Sequence, residues 1–505
     1  MLGCSKFRME STGQKNRIQL SSQTANLLVA AGKEHWVCPR ATKVFAKGKG
    51  ELQTYWYLAG SASDTGESAV EYHTSTRGHS DDAESLAPST PNPNGTVSDV
   101  PPLNQRLITW NVENMAVPLK KLIASRKGKK MPSLDSWRKI KIRRNPDKIV
   151  LDELEEFITM TEHGVTDLSD AEDTIVLDDV VIKQLKDYVT TTALMYRPNA
   201  FHSFDHASHV AQSVTKLLSR IVTPEQICYD STFYTQKAAP QLLHDFTFGI
   251  TSDPLIQFAV IFAALIHDAD HPGVPNATLV KEGGDMAKTY RNKSVAEQNS
   301  VDAAWGLLME PQYEDLRRCI YCTQEELESF RKLVVNAVLA TDVVDKELGA
   351  LRRKRWELAF ENGTEECSPL FEGGAPCRQM MNRKATIIIE YMIQASDVAH
   401  TMQHWQIYTY WNERFFQECF EAYKSGRADK DPVQSWYEGE LAFFDYYVLP
   451  LARRLKECGV FGVSGEEYLN YAVSSCCERS FLFDLVKSTP FWLTFRSLLC
   501  LSAFE

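Results

Sequence analysis

Residues 253–273 read DPLIQFAVIFAALIHDADHPG, and the reading of this stretch decides the fold. Asp253 and Pro254 have the chemistry of an N-cap and a first helical position. From Leu255 to Ile266 the run is apolar except at Gln257. It is too short to cross a bilayer, which takes roughly 20 residues, so it is expected as a core helix of a soluble domain. Pro272 and Gly273 stop it, leaving His267 and Asp268 at its C-terminal end. An adjacent His and Asp suit a site with two metals, because a carboxylate has two oxygens and can bridge. A second His-Asp pair, His244-Asp245, lacks both the long apolar helix before it and the Asp-x-x-His-Pro-Gly tail, and is read as chance.

Outward from that helix, residues 145–485 carry helical patterning throughout. Thr323-x-x-Glu326 has the form of a capping box opening the run Leu327, Phe330, Leu333, Val334. Tyr408, Trp411, Phe415 and Phe416 recur at helical spacing. The expectation is a compact all-α, multi-helix domain over 145–485, with no internal repeat. Residues 1–60 are mixed and strand-like near their end. Residues 61–144 are read as a flexible linker. Its first part is rich in Ser, Thr, Asp, Gly and Pro, and the basic residues between Lys120 and Lys148 read as a solvated face or linker. Residues 486–505 are set apart as a C-terminal tail. Its apolar stretch Phe491 to Phe504 reads either as an amphipathic docking helix or as an effect of the chain's end.

Composition narrows the function classes. The chain has 505 residues, is 44% hydrophobic and carries a net charge of −11. That charge argues against nonspecific binding to nucleic acid. No basic-then-apolar leader opens the chain, and the twelve cysteines lack framework spacing, which suits reduced thiols and a cytoplasmic chain. Cys319-x-x-Cys322 has no second pair at zinc-ribbon spacing and reads as two thiols.

Eight of the twelve histidines lie between His202 and His404. In FHSFDHASHV, from Phe201, His202 and His206 are four apart and would share a helix face. Asp397 ends the apolar run from Ile387 in Gln394-Ala395-Ser396-Asp397. Imidazoles with carboxylates select zinc, manganese, iron or magnesium over calcium. Each motif alone has an ordinary structural reading; their order inside one helical domain points to a metal site.

Residues 195 to about 480 resemble the catalytic domain of class I 3',5'-cyclic nucleotide phosphodiesterases, an HD-type fold. The matching stretches are YRPNAFH from Tyr196, HDADHPGV from His267, LATD at Leu339–Asp342, QASD at Gln394–Asp397 and FFDYYV from Phe443. The resemblance implies metal-dependent hydrolysis of cAMP, cGMP or both to 5'-nucleotides. His206, His267, Asp268 and Asp397 fall where the family binds a first metal, usually zinc, and Asp268 would bridge to a second, usually magnesium or manganese. His271, Glu297, Thr341 and Asp342 fall on positions around the metals, His202 on the general acid, and Phe443 on the purine-stacking aromatic. Two cations neutralise a phosphodiester and generate hydroxide near neutral pH; a histidine then supplies the leaving oxygen's proton.

Three departures stand out. Phe201 replaces a tyrosine. Asn299 and Ser300 replace a pair of histidines. Glu440 replaces the glutamine that reads the base, putting an acceptor-only group where the family has an amide, so Glu440 is expected to shape base preference. Two alternatives compete with the phosphodiesterase reading: another metal phosphohydrolase of the His-Asp type, and a degenerate domain that only binds cyclic nucleotide.

Residues 8–58 carry a second resemblance, to the C-terminal end of a class III adenylyl or guanylyl cyclase domain. RMESTG from Arg8, RIQLS from Arg17 and KGKGELQTYW from Lys47 carry it. Arg8 falls on the transition-state arginine and Lys47 on the phosphate-binding lysine, while Cys4 stands where asparagine is expected. This implies a small partial α/β cyclase remnant, without cyclase activity, from a longer cyclase-phosphodiesterase fusion. Such a parent could form a homodimer through this region and be membrane-anchored.

Overall fold

The computed structural model describes residues 18–22, 25, 29, 37–40, 44–46, 50–57, 102–127, 130–142, 147–159, 175–221, 239–361 and 378–488. The chain divides into two units, Met1–Pro88 and Ser89–Glu505.

In the first unit, β5 (Thr54–Tyr57) is rich in aromatic residues that suit a pleated surface. It lies between β1 (Ile18–Ser21) and β2 (Val37–Pro39), antiparallel to both. Leu20 faces Tyr55, and Cys38 faces Trp56. β3 (Val44–Ala46) and β4 (Gly50–Leu52) form a separate antiparallel pair. Trp56 is buried, with the Arg40 guanidinium over its ring. Cys4, Arg8 and Lys47, on which the cyclase resemblance leans, lie outside the described residues.

In the second unit every described regular element is a helix. Its helices include α1 (Pro102–Ser125), α2 (Asp179–Met195), α3 (Phe204–Ser219), α4 (Pro254–Ile266), α5 (Val295–Leu308), α6 (Gln324–Leu339), α7 (Arg378–Asp397), α8 (Trp405–Lys424), α9 (Trp436–Phe443), α10 (Leu449–Glu457) and α11 (Val463–Ser488). α4 is the axle. Every residue of it but Gln257 is buried, and α6, α3 and α1 pack around it. Asp253 caps it by accepting from the Leu255 and Ile256 amides, with Pro254 following at the first turn. Phe262 packs on Tyr188 and Phe330, with ring centroids 5.6 and 5.4 Å apart. Burying a side chain of that size contributes about 1.5–3 kcal/mol. The Tyr188 hydroxyl donates to the Ala304 carbonyl, so the core carries no open donor there.

The linker does not run to residue 144. α1 occupies its second half and buries Ile108, Met115, Leu119 and Leu122 in the same core as α4. Those residues do recur at helical spacing, but Pro118 inside the helix and the flanking prolines mask the pattern. Nor is the basic stretch after Lys120 simply solvated. Arg126 is buried and donates to the Cys319 and Ile320 carbonyls and to Glu326, supplying partners to carbonyls at the end of the Glu314–Ile320 helix. Thr323 caps α6 by accepting from the Glu326 amide. Glu326 reaches back to the Cys322 amide rather than to that of Thr323, one residue beyond a standard capping box. Cys319 and Cys322 are free thiols, and burial pushes Cys319 up to about 11. α11 extends to Ser488, across the expected boundary at 486; Phe491 to Phe504 lies outside the described residues. Among the described residues no helix is long and apolar enough to cross a membrane.

Candidate metal centre

Three helix ends converge. α4 stops at His267, its C-cap, because the chain turns through Asp268 to Gly273. α7 stops at Asp397. α3 starts at Phe204, with the Ser203 hydroxyl accepting from the His206 amide, so His206 sits in its first turn. His202 therefore precedes the cap and is not on the helix. The helical-face argument for His202 and His206 fails, although both rings reach the same site, 6.4 Å apart.

His206 Nε2 lies 3.0 Å from Asp397 Oδ1 and 3.9 Å from Asp268 Oδ2. His267 Nε2 lies 3.0 Å from Asp268 Oδ2 and 3.4 Å from Asp397 Oδ1. Both histidines are buried. His267 Nδ1 donates to the Ala264 carbonyl at 2.9 Å, which leaves Nε2 with its lone pair aimed inward. That nitrogen and Asp268 Oδ2 are both buried without a hydrogen-bond partner. Two acceptors this close, both orphaned, fit a cation between them. Burial opposes charge on His267, yet the carboxylates of Asp268 and Asp397 carry its pKa well above the ordinary value. Burial likewise opposes charge on Asp397, but the hydrogen bond with His206 and the neighbouring His267 ring hold its carboxyl low. Two imidazoles and two carboxylates gathered this closely have the donor chemistry of a divalent-metal site, whose ligands bind as their protons leave.

His202 stands beside this cluster. Its Nδ1 contacts Glu418 Oε1, while Glu418 Oε2 accepts from the amides of Phe201 and His202 at 2.8 and 3.0 Å. Burial alone would lower the His202 pKa, but Glu418 and Asp268 raise it to about 9. Glu418 is correspondingly held at about 2 against its own burial. The His271 ring stacks on His202 with centroids 3.9 Å apart. Burial and the charge on His202 push His271 down to about 3, so it is neutral, and its Nδ1 accepts from the Gly273 amide.

The turn that holds His271 is itself gripped. Asn199 donates to the carbonyls of His271 and His202 at 2.7 and 3.1 Å. Gly273 has φ +70°, and a Cβ there would come within 2.9 Å of Asn199 Oδ1, so only glycine fits. Asp270 is left-handed at φ 61° and receives Arg197 at 2.7 Å and Asn299 at 3.1 Å. Ser300 donates to the Ala269 carbonyl at 2.7 Å. The two residues that replace histidines thus both clamp the metal-site turn.

Glu297 and Asp342 meet through Asn276, which donates to both at 2.8 and 3.3 Å. Ser294 also donates to Asp342, at 2.7 Å. Burial, then the Asp342 charge, push Glu297 up to about 8. Thr341, just past α6, donates its hydroxyl to the Val338 carbonyl in the last turn of that helix. Glu440 does not face solvent: it is 8% exposed, and its Oε2 accepts from Tyr408 and Asn412 at 2.6 and 2.5 Å. Phe443 lies one turn further along, stacked on Tyr447 at 5.3 Å. Sequence reasoning missed Glu418, Asn276 and Ser294. Only Glu418 had a local signal, being a carboxylate in register with Trp411 and Phe415 on one face of α8.

The profile of the 3',5'-cyclic nucleotide phosphodiesterase family matches residues 201–459. A probable 3',5'-cyclic-AMP phosphodiesterase of Caenorhabditis elegans is 26% identical over 334 residues, covering 64% of this chain and 42% of the relative. The human cGMP-inhibited 3',5'-cyclic phosphodiesterase 3A is 30% identical over 184 residues, covering 32% of this chain and 16% of the relative. This chain thus spans less than half the length of either relative. Among solved structures, the phosphodiesterase domain of Salpingoeca rosetta rhodopsin phosphodiesterase is 17% identical, with a TM-score of 0.46, covering 68% of this chain and 92% of that one.

Proposed function

The chain belongs to the 3',5'-cyclic nucleotide phosphodiesterase family, and from that premise we propose that it hydrolyses cAMP, cGMP or both to the 5'-nucleotide at the centre built by His206, His267, Asp268 and Asp397. These four would hold the first metal, zinc by preference for mixed nitrogen and oxygen ligands. Asp268 would share a second, magnesium or manganese, in the polar pocket of Glu297, Thr341 and Asp342. Bound there, the cations supply charge neutralisation of the phosphodiester and a nucleophile near neutral pH.

The observation that carries the reading is His202, kept protonated beside a buried cluster of metal-binding groups. In the reaction a water oxygen, its proton released to solvent, bonds to phosphorus as the bond from phosphorus to the ribose 3' oxygen breaks. That oxygen leaves with a proton, which His202 is placed to give. Glu418 fixes the imidazole's orientation and keeps it charged until then. Neutral His271 leaves His202 the only charged imidazole of the stacked pair. Asn299, Ser300 and Asn199 hold the turn between Asp268 and His271, while Glu440 and Phe443 would receive the base. A domain that only bound cyclic nucleotide would need no such acid.

Hydrolysis of cAMP and cGMP by the full chain, with and without chelator and beside His202→Ala, tests the proposal. Chelator-sensitive release of a 5'-nucleotide, reduced on the order of 100-fold or more in His202→Ala, is the expected result. No turnover of either nucleotide with metal bound would overturn it in favour of another phosphohydrolase or a binding module.

A further inference from the structure

α5 opens through backbone that residues with a side chain avoid. Among the described residues five non-glycine positions are left-handed. Three of them, Arg291, Asn292 and Ser294, fall just before this helix, at φ 53°, 59° and 37°. Each costs roughly 1–2 kcal/mol against the right-handed form, so such a loop persists only where its surroundings fix it. Ser294 occupies the N-cap position, where a serine hydroxyl ordinarily accepts from the helix's own amides. Here it caps nothing and instead donates to Asp342 Oδ2 at 2.7 Å.

The group that fixes the loop is Gln298, one turn into α5 and fully buried. Its Nε2 donates to the Lys293 and Tyr290 carbonyls at 2.7 and 3.4 Å, which closes the loop. Its Oε1 accepts from the Leu151 amide at 2.8 Å, in the short helix Val150–Glu153. Arg291 grips the same segment, donating to the Asp152 carboxylate and the Asp147 carbonyl. The Arg291–Asp152 pair is largely exposed and contributes at most about 1 kcal/mol, so the buried amide carries the hold. The segment is fastened in turn to α6, where Arg331 donates to Glu153 at 2.7 and 3.0 Å. α6 ends at Leu339, just before Asp342. Loop and carboxylate thus share one frame, with the Gln298 amide between them.

Resting on the phosphodiesterase reading above and its second cation, we infer that Gln298 is a positioning residue for that cation: it holds the Arg291–Ser294 loop left-handed so that the Ser294 hydroxyl fixes the Asp342 carboxylate. Asp342 Oδ1 accepts from the Val344 and Asp345 amides at 3.2 and 3.1 Å. Its Oδ2 accepts from Ser294 and, at 3.3 Å, from Asn276. Ser294 makes the shortest of these bonds. A carboxylate held at both oxygens presents its remaining lone pairs in one direction, which suits magnesium's demand for near-ideal octahedral geometry. Without the Gln298 amide its hold on the Lys293 and Tyr290 carbonyls is lost. The loop then relaxes to a right-handed path, and the Ser294 hydroxyl turns to capping α5. Asp342 loses its shortest donor and is freer to rotate.

The test is manganese binding to the purified, zinc-loaded full chain, followed by the electron paramagnetic resonance signal of free manganese. The wild type is compared with Gln298→Leu, Ser294→Ala and the double variant Gln298→Leu/Asn292→Gly. Each single variant should weaken manganese binding about tenfold, the scale of one hydrogen bond to a charged group, with zinc content unchanged. Asn292→Gly should recover part of the loss in Gln298→Leu, because glycine adopts left-handed backbone without a hold. Manganese binding unmoved by either single variant overturns the inference. So does an equal loss of zinc and manganese, or a loss with no recovery in the double variant, either of which marks a merely structural role. If Gln298→Leu does not fold, Gln298→Asn, one methylene shorter, is read in its place by the same criteria. A wild type that binds zinc but no manganese, or hydrolyses neither cyclic nucleotide, removes instead the reading on which the inference stands.

Discussion

The chain contains the dipeptide His-Asp twice in the same domain, and the two copies have opposite fates. His244-Asp245 lies near the end of the short helix Ala239–Phe246, where His244 is half-buried and its Nδ1 contacts the Ser252 hydroxyl. His267-Asp268 closes a helix that is buried almost throughout, and two other helix ends bring His206 and Asp397 to it. Among the described residues, the groups spaced to hold a metal include His267 and Asp268 and neither member of the other pair. The difference lies in neighbours, not in the dipeptide. A site needs a rigid buried element to aim the pair and long-range partners to meet it.

The sharpest way to break this comparison is to remove each carboxylate in turn. Asp268→Asn should lower cyclic nucleotide turnover on the order of 100-fold or more, while Asp245→Asn should stay within about twofold of wild type; equal losses would erase the distinction. A smaller effect is expected at Glu418, which acts through His202. Activity that needs protonated His202 falls as pH rises through its pKa. Glu418→Gln removes the charge that raises that pKa and leaves the burial that lowers it, so the basic limb of the kcat/KM profile should move down by about one pH unit or more. An unmoved limb would take His202 out of the acid role. Smallest is Asp253, which lies between the two dipeptides and caps α4. Asp253→Ala should cost about 1 kcal/mol, read as a lower melting temperature, with the kcat/KM ratio of the two substrates unchanged.

The same contrast explains what the sequence made legible. α4, its cap and the His-Asp pair are local: a period, a capping residue and a stop within 21 positions. Asp397 was readable because it too ends an apolar run. Glu418 was not, because its meaning comes from His202, 216 positions away. Asn276 and Ser294 look like ordinary polar residues until Asp342 faces them. α1 was hidden by prolines that a helix tolerates once its apolar face is packed, and Arg126 by a charge whose partners lie about 200 positions on. Glu440 could be singled out by sequence, but its burial and its partners Tyr408 and Asn412 could not.

His206 and Asp397 are 191 positions apart in the chain and 3.0 Å apart in space. A cation held between them would act on folding as a reversible cross-link. Closing a loop of that length removes on the order of 5 kcal/mol of freedom from the unfolded chain. Occupancy of the centre is then also a stability variable: the pool of free divalent metal would set how long the folded chain lasts as well as how fast it turns over.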